Sequence, residues 1–128
     1  MMAGIGTDIV DISRIEASIA KERGFREMVF SPLEIAYCEA KTHKYEHYAA
    51  RFAAKEAFFK AVGTGWKNGT SFNEIEIYND ASGKPHIRLL GTTAATLSDL
   101  TAGGIQQVSL SHTATVAIAV VFIGRVSP

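Results

Sequence analysis

Arg51-Phe52-Ala53-Ala54-Lys55-Glu56-Ala57-Phe58-Phe59-Lys60 is the stretch that decides the fold. Alanine, lysine and glutamate are strong helix formers, and the pattern predicts a helix over 48–62, closed by Gly63. Side chains four and seven apart share a helix face, so Phe52, Glu56, Phe59 and Lys60 lie together. A carboxylate among aromatic rings needs a cation or a metal to stay charged. An ordinary Glu56–Lys60 pair on a solvated face, worth about 0.3–0.5 kcal/mol, fits the same spacing. Helix arithmetic does not choose between them.

Before this helix, Ile5-Gly6-Thr7-Asp8-Ile9-Val10 is β-rich and predicts a first strand over 3–12. Ser13, three residues ahead of Glu16, signals a helix to about Arg23, with Gly24 as its stop. Ser31-Pro32-Leu33-Glu34 repeats the device for a helix ending near Ala40, and a basic connector follows over 41–45. After the long helix, the residues over 72–78 alternate. Asn79-Asp80-Ala81-Ser82-Gly83 is a turn cluster, and 85–90 returns as the second arm of a hairpin. A short helix over 93–100, ended by Gly103-Gly104, precedes two further strands over 105–111 and 115–122. The expectation is a single α+β domain over 1–128, a mostly antiparallel sheet packed on the long central helix.

Composition narrows the function. The chain has 128 residues, with 13 Lys+Arg against 13 Asp+Glu. A nucleic-acid binder carries a basic excess, and none exists here. Cys38 has no partner for a disulfide and fits a reducing compartment, as a small core residue. The longest apolar run, over 114–123, is far shorter than the ~20 residues a membrane helix needs, so no membrane role and a cytoplasmic location are expected.

Three features exceed a structural reading. Aspartate is depleted in strands, yet Asp8 sits inside one; a strand end in water is the plain alternative. Glu56 is the second. In Ser109-Leu110-Ser111-His112-Thr113, alternation puts Val108, Leu110 and His112 on one side, so His112 is either a satisfied rim residue or a phosphate-binding imidazole. Gly4-Ile5-Gly6 lacks the third glycine of a dinucleotide fingerprint. Gly63-Thr64-Gly65 reads equally as a helix cap or as backbone approaching a phosphate. His43 and His47 have helical spacing for zinc, but no HExxH pattern or cysteine accompanies them.

Taken in order, Gly4-Ile5-Gly6-Thr7-Asp8-Ile9-Val10, the stretch from Arg51 to Ala61, and Ser109-Leu110-Ser111-His112 resemble the holo-[acyl-carrier-protein] synthases, short-chain 4′-phosphopantetheinyl transferases. Gly63-Thr64-Gly65 and Gly83-Lys84-Pro85 fall where that family would place them. The resemblance implies transfer of the 4′-phosphopantetheine arm of coenzyme A to a serine of apo acyl carrier protein. Adenosine 3′,5′-bisphosphate would leave, in support of fatty acid biosynthesis. It implies Asp8 and Glu56 as Mg²⁺ ligands and Lys60 beside the pyrophosphate as the third catalytic residue. His112 would touch a coenzyme A phosphate, with Arg51, Lys55, Gly63 and Gly65 as further coenzyme A positions. Arg14 and Lys21 would meet the acidic carrier protein, Arg26 adding to the basic surface, and the family forms homotrimers with sites between subunits. Mg²⁺ prefers hard oxygen ligands, and two carboxylates without cysteine or histidine meet that demand. The stretches 41–47 and 66–70 match no motif, which leaves the adenine and 3′-phosphate contacts open, Lys44 and Lys67 included. A silent coenzyme A- or carrier-binding module, and a phosphohydrolase using the same metal, are the rival classes.

Overall fold

The computed structural model describes residues 4–63, 65, 68–101 and 104–125. The chain runs β1 (Gly4–Asp11), α1 (Ile12–Ala20), α2 (Phe25–Val29), α3 (Pro32–Glu39), α4 (Lys44–Val62), a 3-10 turn at Phe72–Glu74, β2 (Ile75–Asn79), β3 (Pro85–Leu89), α5 (Gly91–Thr96), α6 (Ser98–Thr101), β4 (Gly104–His112) and β5 (Val116–Arg125). All strand pairing is antiparallel. One sheet has the order β1-β5-β4, and β2 and β3 form a separate ribbon. The expected α+β architecture is present. Among the described residues no helix is long and apolar enough to cross a membrane.

The 19-residue α4 lies against one face of the three-stranded sheet, and small side chains let it come close. Ala53, Ala54, Ala57 and Ala61 on the helix are buried, as are Ala117 and Ala119 on β5. Opposite them stand Gly4 and Gly6. A Cβ on Gly4 would run into the Ala61 carbonyl; one on Gly6 would run into the Ala57 carbonyl and lie 2.7 Å from Ala61 N. The paired glycines are therefore a helix-docking surface rather than a phosphate loop. Period-two alternation then turns the even residues of β1, Asp8 and Val10 included, toward the helix side. Ile5 and Ile9 point the other way and are exposed, as are Ile118, Val120 and Phe122 on β5.

Several elements differ from the sequence expectation. The first helix starts at Ile12 after Asp11, with no side-chain cap bond, so Ser13 does not cap it. Five residues, Phe25–Val29, form α2 where only a stop was read; one turn and a half is too short for a periodic signal. The long helix begins at Lys44, so the last two residues of the expected basic connector, Lys44 and Tyr45, belong to its first turn. The segment over 72–78 opens with a 3-10 turn before the strand begins at Ile75. The helix expected over 93–100 is two short pieces, and Gly103 lies outside the described residues. The Ser31–Glu34 capping box is present in full, and Gly63 closes α4 in the left-handed region at φ 82°.

Candidate active site

Asp8 follows the glycine pair that seats β1 on α4, and this packing delivers it to Lys60. Lys60 Nζ donates to Asp8 Oδ1 at 3.1 Å and to the Thr7 carbonyl at 3.0 Å. Glu56 lies one helical turn before Lys60, half-buried. Burial pushes its carboxyl above the ordinary carboxylate range, and the neighbouring Asp8 charge pushes the same way. Lys60 and then Arg14, from the exposed side of α1, oppose that shift. Asp8, Glu56, Lys60 and Arg14 thus form one electrostatic unit. Two carboxylates that repel one another, with oxygen donors only, suit a hard divalent cation. The donor set fits Mg²⁺.

Arg51 and His112 meet elsewhere, in a cavity of about 660 Å³ whose lining includes Tyr37, Asn79, Lys84 and Phe122 but not Asp8, Glu56 or Lys60. Residues 51 and 56 are five apart on a helix, which separates them by about 140° around its axis. Arg51 is buried. Its Nη2 donates to Asn79 Oδ1 at 2.6 Å and its guanidinium lies 4.1 Å from the Tyr37 ring centroid. Its Nε is the single buried side-chain polar atom without a hydrogen-bond partner among the described residues. An orphaned buried donor is costly, and an acceptor entering the cavity would relieve it. His112 closes the rim, its ring 5.9 Å from that of His47. Burial, and next the nearby Arg51 charge, hold the His47 pKa below the usual histidine value.

Lys55 requires a correction. It was expected to touch coenzyme A, but its side chain has no solvent exposure. Its ammonium donates to Glu34 Oε1 at 2.8 Å, to the Phe72 carbonyl at 2.8 Å, and to the Ile75 carbonyl. All three donors are used inside the protein. Burial pulls the Lys55 pKa down and the Glu34 carboxylate works against that pull. Glu34 in turn accepts from Ser31 N and Ile77 N, and Ser31 Oγ donates to Glu76, which Arg88 grips. Lys55 is the hub that ties α3 and the β2-β3 ribbon to α4.

The remaining expected positions are scattered. Gly63 serves the helix cap, with open space where a Cβ would stand; Gly65, at φ 61°, is likewise open. Thr64, Trp66 and Lys67 lie outside the described residues. Lys21 ends α1, exposed, and Arg26 pairs with Glu27 and Glu39. Lys44 pairs with Glu39 at 3.2 Å. Cys38 is fully buried and burial raises its thiol pKa to about 12, an inert core group. Tyr37, Asn79 and Lys84 escaped the sequence reading as site residues. Asn79 and Lys84 flank the hairpin turn, where turn chemistry alone accounts for them.

Comparison with known proteins converges on one family. The model of the 4′-phosphopantetheinyl transferase superfamily matches residues 4–121. A holo-[acyl-carrier-protein] synthase from Cytophaga hutchinsonii is 52% identical over 128 residues, covering 98% of this chain and 99% of that protein. A solved ACPS–CoA complex from Chronobacterium ammoniagenes superposes with a TM-score of 0.86 at 30% identity, covering 99% of this chain and 100% of the other. The Neisseria meningitidis holo-[acyl-carrier-protein] synthase gives 0.85 at 34% identity, over 95% and 98% of the two chains. With near-complete coverage in sequence and in fold, this chain belongs to the 4′-phosphopantetheinyl transferase superfamily, within its holo-[acyl-carrier-protein] synthase branch.

Proposed function

We propose that the chain transfers the 4′-phosphopantetheine group of coenzyme A to a serine of apo acyl carrier protein in a Mg²⁺-dependent reaction. Adenosine 3′,5′-bisphosphate is released, and the product serves fatty acid biosynthesis in the cytoplasm. The observation that carries this reading is the Lys60–Asp8 contact between β1 and α4, with Glu56 one helical turn away and its carboxyl sensing both charges. Asp8 and Glu56 would hold Mg²⁺, which when bound supplies charge neutralisation and alignment for the pyrophosphate. Lys60 is exposed enough to turn from Asp8 to a phosphate oxygen, where its compact charge stabilises the leaving group. The serine O–P bond forms as the P–O bond within the pyrophosphate breaks. Positioning and electrostatics carry such a transfer.

Arg51 and His112 are assigned to coenzyme A phosphate contacts, on the strength of the orphaned Arg51 Nε in the cavity. Arg14 and Lys21 on α1 are assigned to the acidic carrier protein, Arg14 lying on the exposed side of the helix with its charge felt at Glu56. A homotrimer with sites between subunits is the proposed assembly. Two features support it: the apolar outer sheet face of Ile5, Ile9, Ile118 and Phe122, and the separation of the two site groups around α4. The test is a mass assay with coenzyme A, Mg²⁺ and an apo carrier. A gain of one phosphopantetheine arm that disappears with chelator and in Asp8→Ala is expected. Coenzyme A binding with no mass gain on several carriers would favour a silent module, and coenzyme A breakdown without carrier would favour a hydrolase.

A further inference from the structure

Glu46 stands behind His112. Its Oε1 is 3.0 Å from His112 Nδ1, and its Oε2 is 3.9 Å from His43 Nδ1. The Thr113 carbonyl is 3.3 Å from the same His112 Nδ1. Both neighbours of Nδ1 are acceptors, so that nitrogen carries the hydrogen. Nε2 has no protein partner among the described residues. His112 borders the 660 Å³ cavity that holds Arg51, and Glu46 does not. Glu46 instead borders a separate cavity of about 280 Å³ with Ile12, Glu16, His43 and Ala114. The imidazole is therefore a partition, gripped from one side and free on the other. A glutamate in the first turn of α4 is favourable for the helix dipole, but that role needs no contact with the last residue of β4.

We propose that Glu46 is a positioning residue for the transfer reaction. By accepting from His112 Nδ1 it fixes the ring's orientation and tautomer, so that Nε2 faces the cavity as an acceptor for a hydrogen-bearing group, a hydroxyl or a P–O–H, of a phosphate-bearing ligand. The hydrogen bond at one ring nitrogen sets what the other can do. This deepens the functional reading above and rests on it, since the ligand is taken to be coenzyme A.

The test compares Glu46→Ala, Glu46→Gln, His112→Ala and the Glu46→Ala/His112→Ala double variant. Steady-state transfer gives KM and kcat, and nitrogen NMR of the ligand-free protein gives the His112 tautomer. Glu46→Ala is expected to raise the coenzyme A KM about tenfold with kcat within about twofold, the signature of lost binding. Glu46→Gln, whose amide oxygen accepts the same bond, stays within about threefold of the parent, and the double variant is no worse than His112→Ala alone. In the NMR spectrum Glu46→Ala loses the Nδ1–H tautomer and Glu46→Gln keeps it. An unchanged tautomer in Glu46→Ala, or additive losses in the double variant, overturns the proposal. A parent protein that binds no coenzyme A sinks the functional reading instead, and the tautomer result still decides whether Glu46 orients the ring.

Discussion

Lys60 Nζ lies 3.1 Å from Asp8 Oδ1, joining the last turn of the longest helix to the first strand. The lysine side chain is 56% exposed, so as a surface pair this contact contributes little to stability. Its importance is chemical, because it parks a cation beside two carboxylates. Lys60→Ala is expected to leave the thermal midpoint nearly unchanged and to lower the transfer rate about 10²–10³-fold, as for removal of one charge-stabilising donor. Steady-state kinetics at saturating coenzyme A check this. A kcat near that of the parent would remove Lys60 from the reaction.

Glu56 carries a pH signature. Burial first, and then Asp8, raise its folded pKa above the ordinary 4.5, so the folded state holds the proton more tightly than the unfolded chain does. Ionising Glu56 therefore costs stability as pH rises through the folded pKa, and the cost is absent below the ordinary value. Without metal, Glu56→Gln should melt higher than the parent at about pH 7.5 and equal it at about pH 4. Added Mg²⁺ should raise the parent midpoint and leave the variant unmoved. Thermal unfolding at both pH values, with and without Mg²⁺, reads all of this. A variant that melts lower at neutral pH contradicts the repulsion.

Gly6 tests the docking of β1. Its missing Cβ is what lets the strand meet the Ala57 carbonyl and Ala61 N. Gly6→Ala must push strand and helix apart, which costs about 1–3 kcal/mol for overpacking, and it pulls Asp8 away from Lys60. Both stability and transfer are expected to fall. If denaturant unfolding of the variant matched the parent, the close approach would not be structural.

The difference between Gly6 and Ser31 shows what a sequence makes legible. The Ser31–Glu34 capping box closes within four residues, so local chemistry announces it. Glu34 also receives Lys55 from α4 and the Ile77 amide from β2, and nothing local announces those. For that reason Lys55, inside a motif whose next residue is the half-buried Glu56 of the candidate site, reads from sequence as a ligand contact. Long-range packing decides which side of a helix faces inward. Asp8 was visible because aspartate is out of character in a strand, whereas its meeting with Lys60 depends on the paired glycines. Glu46 gave no signal at all, since a glutamate in a first helical turn is ordinary. Only the arrival of β4 gives it a partner.

Lys55 itself supplies a stability prediction. Lys55→Met leaves the Glu34 carboxylate buried without its cation, a loss of about 3–5 kcal/mol. Removing Glu34 as well is expected to recover little, because the Ser31 and Ile77 amides would then lose their acceptor. In whatever fraction stays folded at low temperature, the coenzyme A KM should be unchanged. A raised KM with normal stability would restore Lys55 to the ligand.

The last prediction concerns assembly. The carboxylate group and the Arg51 cavity belong to different sides of α4, and a ligand spanning both is most simply reached when one subunit supplies the carboxylates and its neighbour the cavity. Asp8→Ala and Arg51→Ala, each inactive alone, are then complementary. In a trimer co-expressed from equal amounts of the two, a site needs an intact carboxylate pair from one chain and an intact cavity from the next. Random cyclic assembly satisfies this at about one site in four, so about a quarter of parental activity should return. Sites contained in one chain would return none, because every chain carries one lesion. Ile118→Asp, on the exposed apolar face, provides the matching physical test: it should yield monomers by sedimentation and abolish the complementation. No return of activity is the outcome for a site confined to one subunit, and one-quarter recovery is incompatible with it.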